Sequence, residues 1–295
     1  MVSNTSNATT TRGGIERRIG HSVHYDISYL VQGVELGTDG AIVLLHDIPA
    51  GAFVWESIMP QLAGLGRAVY AFDMLGYGQS AFAWPADTSN WGQADVLGHL
   101  LLELGLTNII LVGHGLGGSV AQILATRLYR EQTRALVLID SLCYLYAYAE
   151  NWPLSDMVKR QEFNAATNVT YEDVVQELRN TLPQAVVNTS SFDNALNSYV
   201  QPWDSELGKE VLYQHIRGLL PNYTNSVSSD LRRMDQPLLI LWGEQDQQVP
   251  VLYAQRLHHD VPHSQLVLLP NAGHFVLFDA PNDVASAISN FVQGV

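Results

Sequence analysis

The sequence predicts one large α/β domain with a mostly parallel, doubly wound sheet and a helical insertion, on three observations. Short unbroken apolar runs recur at 41–46 (AIVLLH), 68–73 (AVYAFD), 109–113 (IILVG), 135–140 (ALVLID), 238–243 (LLILWG) and 265–270 (QLVLLP), each ending at Gly, Asp, His or Pro. Runs of this length fit strands buried on both faces, as in a parallel sheet covered by helices. Helical stretches alternate with these runs, the pattern of a doubly wound core. The rhythm stops between Ser141 and Asp230, where only Gly208 and Gly218 of the 23 glycines fall but seven of the 13 tyrosines do.

In chain order, 1–13 reads as a disordered polar tail without the apolar run of a signal peptide. Tyr25, Ile27 and Tyr29 alternate with polar residues, so 22–31 is expected to be an antiparallel edge strand. Helices are expected at 93–104, at 116–130 with Val120, Ile123, Leu124 and Leu128 on one stripe, and at 281–291. Thr170 and Asp173 are placed as a capping pair for a helix over 170–182. The expected domains are therefore a core of 14–140 and 231–295 and a helical cap of 141–230.

Composition excludes several functions. With 47% hydrophobic and 15% charged residues among 295, the chain has enough apolar surface for a sizeable core. A formal net charge of −14 argues against nucleic acid or an anionic membrane as partner, because phosphate binding needs clustered cations. Cys143 is the only cysteine, so neither an intramolecular disulfide nor a multi-cysteine zinc site forms. No apolar run approaches the roughly eighteen residues of a membrane span. A cytoplasmic monomer or homodimer acting on a small molecule is expected, with no metal and no cofactor. Asn4 and Asn7 stand in glycosylation-type triplets, which without an export signal are read as chance.

The strand ending at Gly113 runs directly into Gly113-His114-Gly115-Leu116-Gly117-Gly118 and then a helix. A strand, a sharp glycine-flanked turn and a helix form the nucleophile elbow, G-x-S-x-G, whose middle residue stands above the sheet. Four other motifs follow the same order as in enzymes with that elbow. They are His46-Asp47-Ile48-Pro49, with Trp55 after it; Asp73 to Ser80 (DMLGYGQS); Gly243-Glu244-Gln245-Asp246 with Val249-Pro250; and Asn271-Ala272-Gly273-His274-Phe275. On these motifs the chain, from about Ser22 to its C-terminus, resembles the α/β-hydrolase superfamily. The resemblance implies an oxyanion turn at 46–49, a catalytic acid at Asp246 and a catalytic histidine at His274.

Two positions depart from the pattern: the elbow residue, normally Ser, Cys or Asp, is Gly115, and the glycine of the oxyanion turn is Asp47. Glycine has no side chain, so no acyl- or alkyl-enzyme forms at 115. The resemblance still implies a His274–Asp246 pair in which the carboxylate fixes the imidazole tautomer, and an oxyanion hole from the backbone N–H groups of Ile48 and Leu116. General-base chemistry on a small apolar carbonyl compound follows, of lyase, hydration or cofactor-free type. Asp47 is read as an auxiliary acid or hydrogen-bond donor if kept protonated, with a relocated nucleophile as the other possibility. The alternatives are an esterase or lactonase inactivated at its nucleophile, and a catalytically silent ligand-binding relative.

Other candidates read as structural. His46 and His114 belong to packing and turns, Asp73 satisfies loop amides, and Asp140 is a fallback partner for His274. His258, His259 and His263 mark a solvated helix end. Tyr144, Tyr146 and Tyr148 mostly pack, with one or two lining the pocket.

Overall fold

The computed structural model describes residues 9–10, 14–144, 169–219 and 221–295. Among these, nine strands form one sheet in the order β1-β2-β3-β5-β4-β6-β7-β8-β9. The strands are β1 (Thr9–Thr10), β2 (Glu16–Ser22), β3 (Tyr25–Gln32), β4 (Ile42–Leu45), β5 (Val69–Phe72), β6 (Ile109–His114), β7 (Thr133–Ile139), β8 (Leu238–Gly243) and β9 (Gln265–Leu269). From β5 to β9 every neighbouring pair is parallel, whereas β1, β2 and β3 pair antiparallel. Every residue of β4, β5, β6 and β8 is buried. That is the reason these strands read as continuous apolar runs, since each face is covered.

The antiparallel margin differs from the sequence expectation. β3 lies between β2 and β5, so it is an interior strand. The edge belongs to β2 and the two-residue β1, which the charged stretch ERRIGHS concealed because β2 stays half exposed along most of its length. Thr9–Thr10, inside the stretch expected to be an unstructured tail, pairs with Glu16 and Arg17; the rest of 1–13 lies outside the described residues.

The core helices are α1 (Met59–Ala63), α2 (Asn90–Glu103) and α3 (Leu116–Ile123), and later α8 (Leu252–Asp260), α9 (Val276–Asp279) and α10 (Pro281–Gln293). α3 continues into one π-helical segment, Leu124–Leu128. Val120, Ile123 and Leu124 are buried as the stripe predicts, but Leu128 is 38% exposed because it falls in this wider turn. In the cap, α4 (Tyr171–Thr181), α5 (Thr189–Val200), α6 (Glu206–Gly218) and α7 (Pro221–Leu231) are described. α4 begins with the expected capping box: Thr170 Oγ1 accepts from Asp173 N, and Thr170 N donates to Asp173 Oδ2. Such a cap stabilises by about 0.5–2 kcal/mol.

Around His274 the cap meets the core through aromatic rings and a backbone bond. Phe192 and Tyr199 of α5 pack on Phe275 at 5.4 and 5.2 Å between centroids. The Phe275 amide donates to Ala185 O in the cap at 3.0 Å. The residue beside His274 is thereby clamped between sheet and cap.

Candidate active site

Four loops leave the carboxyl ends of β4, β6, β8 and β9 on the same side of the parallel sheet, where open α/β sheets place their ligands. They carry Asp47, Gly115, Asp246 and His274 respectively. Gly115 forms the turn between β6 and α3 with φ 52° and ψ −115°, a backbone region that costs a residue with a Cβ about 1–3 kcal/mol. The turn is pressed close to the end of β4: a Cβ on Gly117 would strike Leu45 O and lie 2.6 Å from His46 O. This contact brings the 46–49 turn over the elbow.

His274 sits between two carboxylates. Its Nδ1 is 2.8 Å from Asp246 Oδ2, and its Nε2 is 3.0 Å from Asp47 Oδ2. Asp246 is fixed in turn by the amides of Gln248 and Val249, which donate to Oδ1 at 2.7 and 2.9 Å. Asp47 is fixed by Leu116, whose backbone N–H donates to Oδ1 at 2.6 Å. All three side chains are buried.

Burial alone would lower the His274 pKa, but the charges and hydrogen bonds of Asp246 and Asp47 overcome it and raise it well above the ordinary 6.5. Burial likewise pushes Asp47 upward, yet its hydrogen bond to His274, the His274 charge and the Leu116 amide bring its pKa below the ordinary 3.8. Both directions favour an Asp47–His274 ion pair over the neutral pair. The lowered pKa of Asp47 runs against its being a protonated acid or donor: the adjacent His274 supplies the stabilisation that a dry apolar wall would have denied the anion.

The oxyanion hole is also not open as expected. Leu116 N–H is directed at Asp47 itself, and among the described residues the Ile48 amide makes no hydrogen bond to that carboxylate. A Cβ built on Gly115 would overlap Cγ and Oδ1 of Asp47 and lie 2.6 Å from Oδ2. The Asp47 carboxylate thus fills the volume into which a side chain at the elbow would project.

The surrounding groups take supporting positions. His114 Nε2–H donates to His274 O at 2.8 Å, and burial lowers its pKa to about 4, so it is neutral and holds the His274 backbone. His46 Nδ1–H donates to Asp47 O at 2.7 Å while its Nε2 accepts from Met74 N at 3.0 Å, which fixes both the tautomer and the turn. Asp140 Oδ1 accepts from Gly243 N at 2.9 Å; burial and the nearby Asp246 charge raise its pKa well above 3.8. Asp73 binds Arg17 at 2.6 Å and accepts from the amides of Ala52 and Gln79. His258 pairs with Ser264 and His259 with Asp260, near the exposed end of α8.

Tyr144 does not line the site: its hydroxyl donates to Asp260 at 2.8 Å and Arg256 stacks over its ring. Tyr146 and Tyr148 lie outside the described residues. Sequence reasoning missed Tyr77 and Tyr199, whose buried hydroxyls have their pKa raised by burial and by the charge of Asp47. Their signal was only an aromatic inside a glycine-rich loop and one tyrosine among seven in the cap.

Two groups of donor atoms lie within 4.8 Å of one another, Asp47/His114/His274 and Asp140/Asp246/His274. Both require a nitrogen of His274 that is already engaged by a carboxylate. The hydrogen bonds account for these clusters without an ion.

The sequence profile of the alpha/beta hydrolase fold matches residues 40–281, and the chain belongs to that family. An uncharacterized hydrolase of Bacillus subtilis is 23% identical over 269 residues, covering 85% of this chain and 89% of its own. Haloalkane dehalogenase 2 of Mycobacterium bovis is 28% identical over 272 residues, with 86% and 88% covered. Among solved structures, an alpha/beta hydrolase fold protein from Burkholderia ambifaria superposes with a TM-score of 0.79 at 26% identity over 98% of both chains. A haloalkane dehalogenase from Bradyrhizobium elkani superposes at 0.80 with 19% identity over 95% and 98%. Among the described residues no helix is long and apolar enough to cross a membrane.

Proposed function

We propose that this protein is an active hydrolytic enzyme of the α/β-hydrolase family in which His274, oriented by Asp246, moves protons to and from water, and Gly115 takes no covalent part. The observation that carries this reading is the buried His274–Asp246 bond at 2.8 Å, with the carboxylate itself anchored by two amides. A ring held in one orientation by an anchored carboxylate in a dry site is the arrangement that proton transfer requires once its Nε2 has given up a proton, and such transfer accelerates reactions by about 10²- to 10⁴-fold. The kinship with enzymes named hydrolases and dehalogenases favours hydrolysis over lyase or cofactor-free chemistry.

The substrate is a small, mostly apolar molecule. Buried Tyr77 and Tyr199 near Asp47, and Phe275 beside His274, make the surroundings of the site largely apolar, and the net charge of −14 disfavours anions. The carbonyl-compound reading is weakened by the occupied Leu116 amide, because a substrate oxyanion would have to displace Asp47 from it.

The test is a panel of esters and primary alkyl halides assayed with the unsubstituted enzyme and with His274→Ala. Hydrolysis that falls by about a hundredfold or more in the folded variant supports the reading. Hydrolysis unaffected by the substitution overturns it, and binding without turnover by either protein favours the silent relative.

A further inference from the structure

The geometry points to Asp47 as a covalent nucleophile that reaches the elbow from the neighbouring turn and attacks an sp3 carbon of a small apolar alkyl electrophile, such as a primary alkyl halide. The inference rests on the hydrolytic reading above and names the group and bond through which it proceeds.

Three observations carry it. First, the Asp47 carboxyl fills the volume that a side chain at 115 would enter, so Gly115 leaves room for it and is required by it. The two departures from the family pattern are thus one compensated arrangement: a carboxylate at 47 needs a glycine at 115. Second, the two oxygens are differentiated. Oδ1 is tied to the Leu116 amide at 2.6 Å, while Oδ2 faces His274 Nε2 at 3.0 Å. Third, Asp47 is buried, and its hydrogen bonds to His274 and Leu116 bring its pKa below the ordinary 3.8, so it is held as a poorly hydrated anion.

The arrangement also selects the electrophile. A carbonyl substrate needs the Leu116 amide for its own oxyanion, and Asp47 already holds it. Displacement at a saturated carbon needs no such donor in its first step. An Asp47 oxygen attacks the carbon, the carbon–halogen bond breaks, and halide leaves with the bonding pair, giving an Asp47 alkyl ester. Asp47 is then neutral. His274 keeps only one carboxylate partner and releases its proton to solvent.

His274 next takes a proton from water, and the hydroxide adds to Asp47 Cγ. The charge that develops falls on the oxygen held by Leu116 N–H, which now acts as the oxyanion donor. The intermediate collapses with loss of the alkoxide, which receives the proton from His274. The Asp47 carboxylic acid returns its proton to His274, restoring the resting ions. The sum is alkyl halide plus water giving alcohol, halide and one proton.

The test uses 1-bromobutane, 1-iodohexane and benzyl bromide. His274→Ala should trap a single alkyl group on the Asp47 peptide, seen by intact mass and peptide mapping, and Asp47→Asn should trap none. In a single turnover of the unsubstituted enzyme in H2(18O), the label should enter Asp47 and not the alcohol. Label in the first-turnover alcohol, or turnover without any trappable adduct, overturns the inference.

Reciprocal exchange gives a second arm: Asp47→Gly with Gly115→Asp should keep alkyl-halide turnover within about tenfold, while each single change lowers it by about a thousandfold. A double variant that is folded and no better than the singles also overturns it. Ester hydrolysis that depends on His274 without any alkyl-halide turnover defeats this inference alone, whereas no hydrolysis of any probe defeats the proposed function as well.

Discussion

The Asp47 carboxyl lies where a Cβ on Gly115 would be, so the two residues exclude each other's side chains. Gly115→Ser therefore meets two penalties, the positive φ of 52° and the collision with Asp47. Together they are expected to cost about 2–5 kcal/mol. The single change should yield no esterase, because the new hydroxyl and Asp47 compete for one space. Gly115→Ser combined with Asp47→Gly removes the collision and frees the Leu116 amide, and should hydrolyse 4-nitrophenyl acetate with an acyl-enzyme burst. Thermal denaturation and a burst assay check both; a stable, ester-active Gly115→Ser would contradict the placement of Asp47.

The fold was legible because the buried parallel strands leave unbroken apolar runs, and because the turns after β4, β6, β8 and β9 carry local motifs. The site was legible only residue by residue. His274 and Asp246 stand in intact motifs, but the consequence of changing both Asp47 and Gly115 depends on how closely the 46–49 turn approaches the elbow, a distance set by Gly117 packing on Leu45 and His46. Nothing in the spacing of 47 and 115 encodes it. The half-exposed β2 was hidden for another reason: its Arg17 serves Asp73 and Ser28 inside the fold, so its charges read as surface when one of them is part-buried.

Asp246 and Asp140 are neighbours of opposite character, and conservative amides separate them. Asp246→Asn removes the anion that holds Nδ1–H and leaves an ambiguous amide in its place, so hydrolysis should fall by about 10²- to 10⁴-fold. Burial and the Asp246 charge raise the Asp140 pKa well above 3.8 and so favour its neutral form, which Asp140→Asn mimics; the change should alter the rate by less than about tenfold. Steady-state kinetics on the same substrate decide the matter; equal losses would mean that Asp140 shares the work of orienting His274.

Asp73 is the anchor of the loop after β5. Its carboxylate binds part-buried Arg17 and accepts from Ala52 and Gln79. Asp73→Ala strands the guanidinium and the Ala52 amide, and a loss of about 3–5 kcal/mol is expected. Urea unfolding measures it, and a loss below about 1 kcal/mol would show that water replaces the carboxylate.

The pair Asp47–His274 makes stability depend on pH from both ends. Asp47 has its folded pKa below the ordinary 3.8, so its contribution is present above that value and is lost as pH falls through the lowered one. His274 has its folded pKa raised well above the ordinary 6.5, so its contribution is complete below 6.5 and is lost as pH rises through the raised value. Of the groups packed around them, His114 is neutral with its pKa at about 4, Tyr77 and Tyr199 have theirs raised above 10 and are neutral, and the pKa of Asp140 is raised by burial and by Asp246. Between about 5 and 8 the charge that changes is therefore not that of His114, Tyr77 or Tyr199. Asp47→Asn removes one of the two anions facing His274, so the alkaline decline in stability should begin at lower pH, nearer to 6.5. Stability curves across pH and NMR titration of the His274 ring report the shift directly. An unmoved His274 titration would mean that Asp246 alone sets its charge, and the Asp47–His274 ion pair would have to be abandoned.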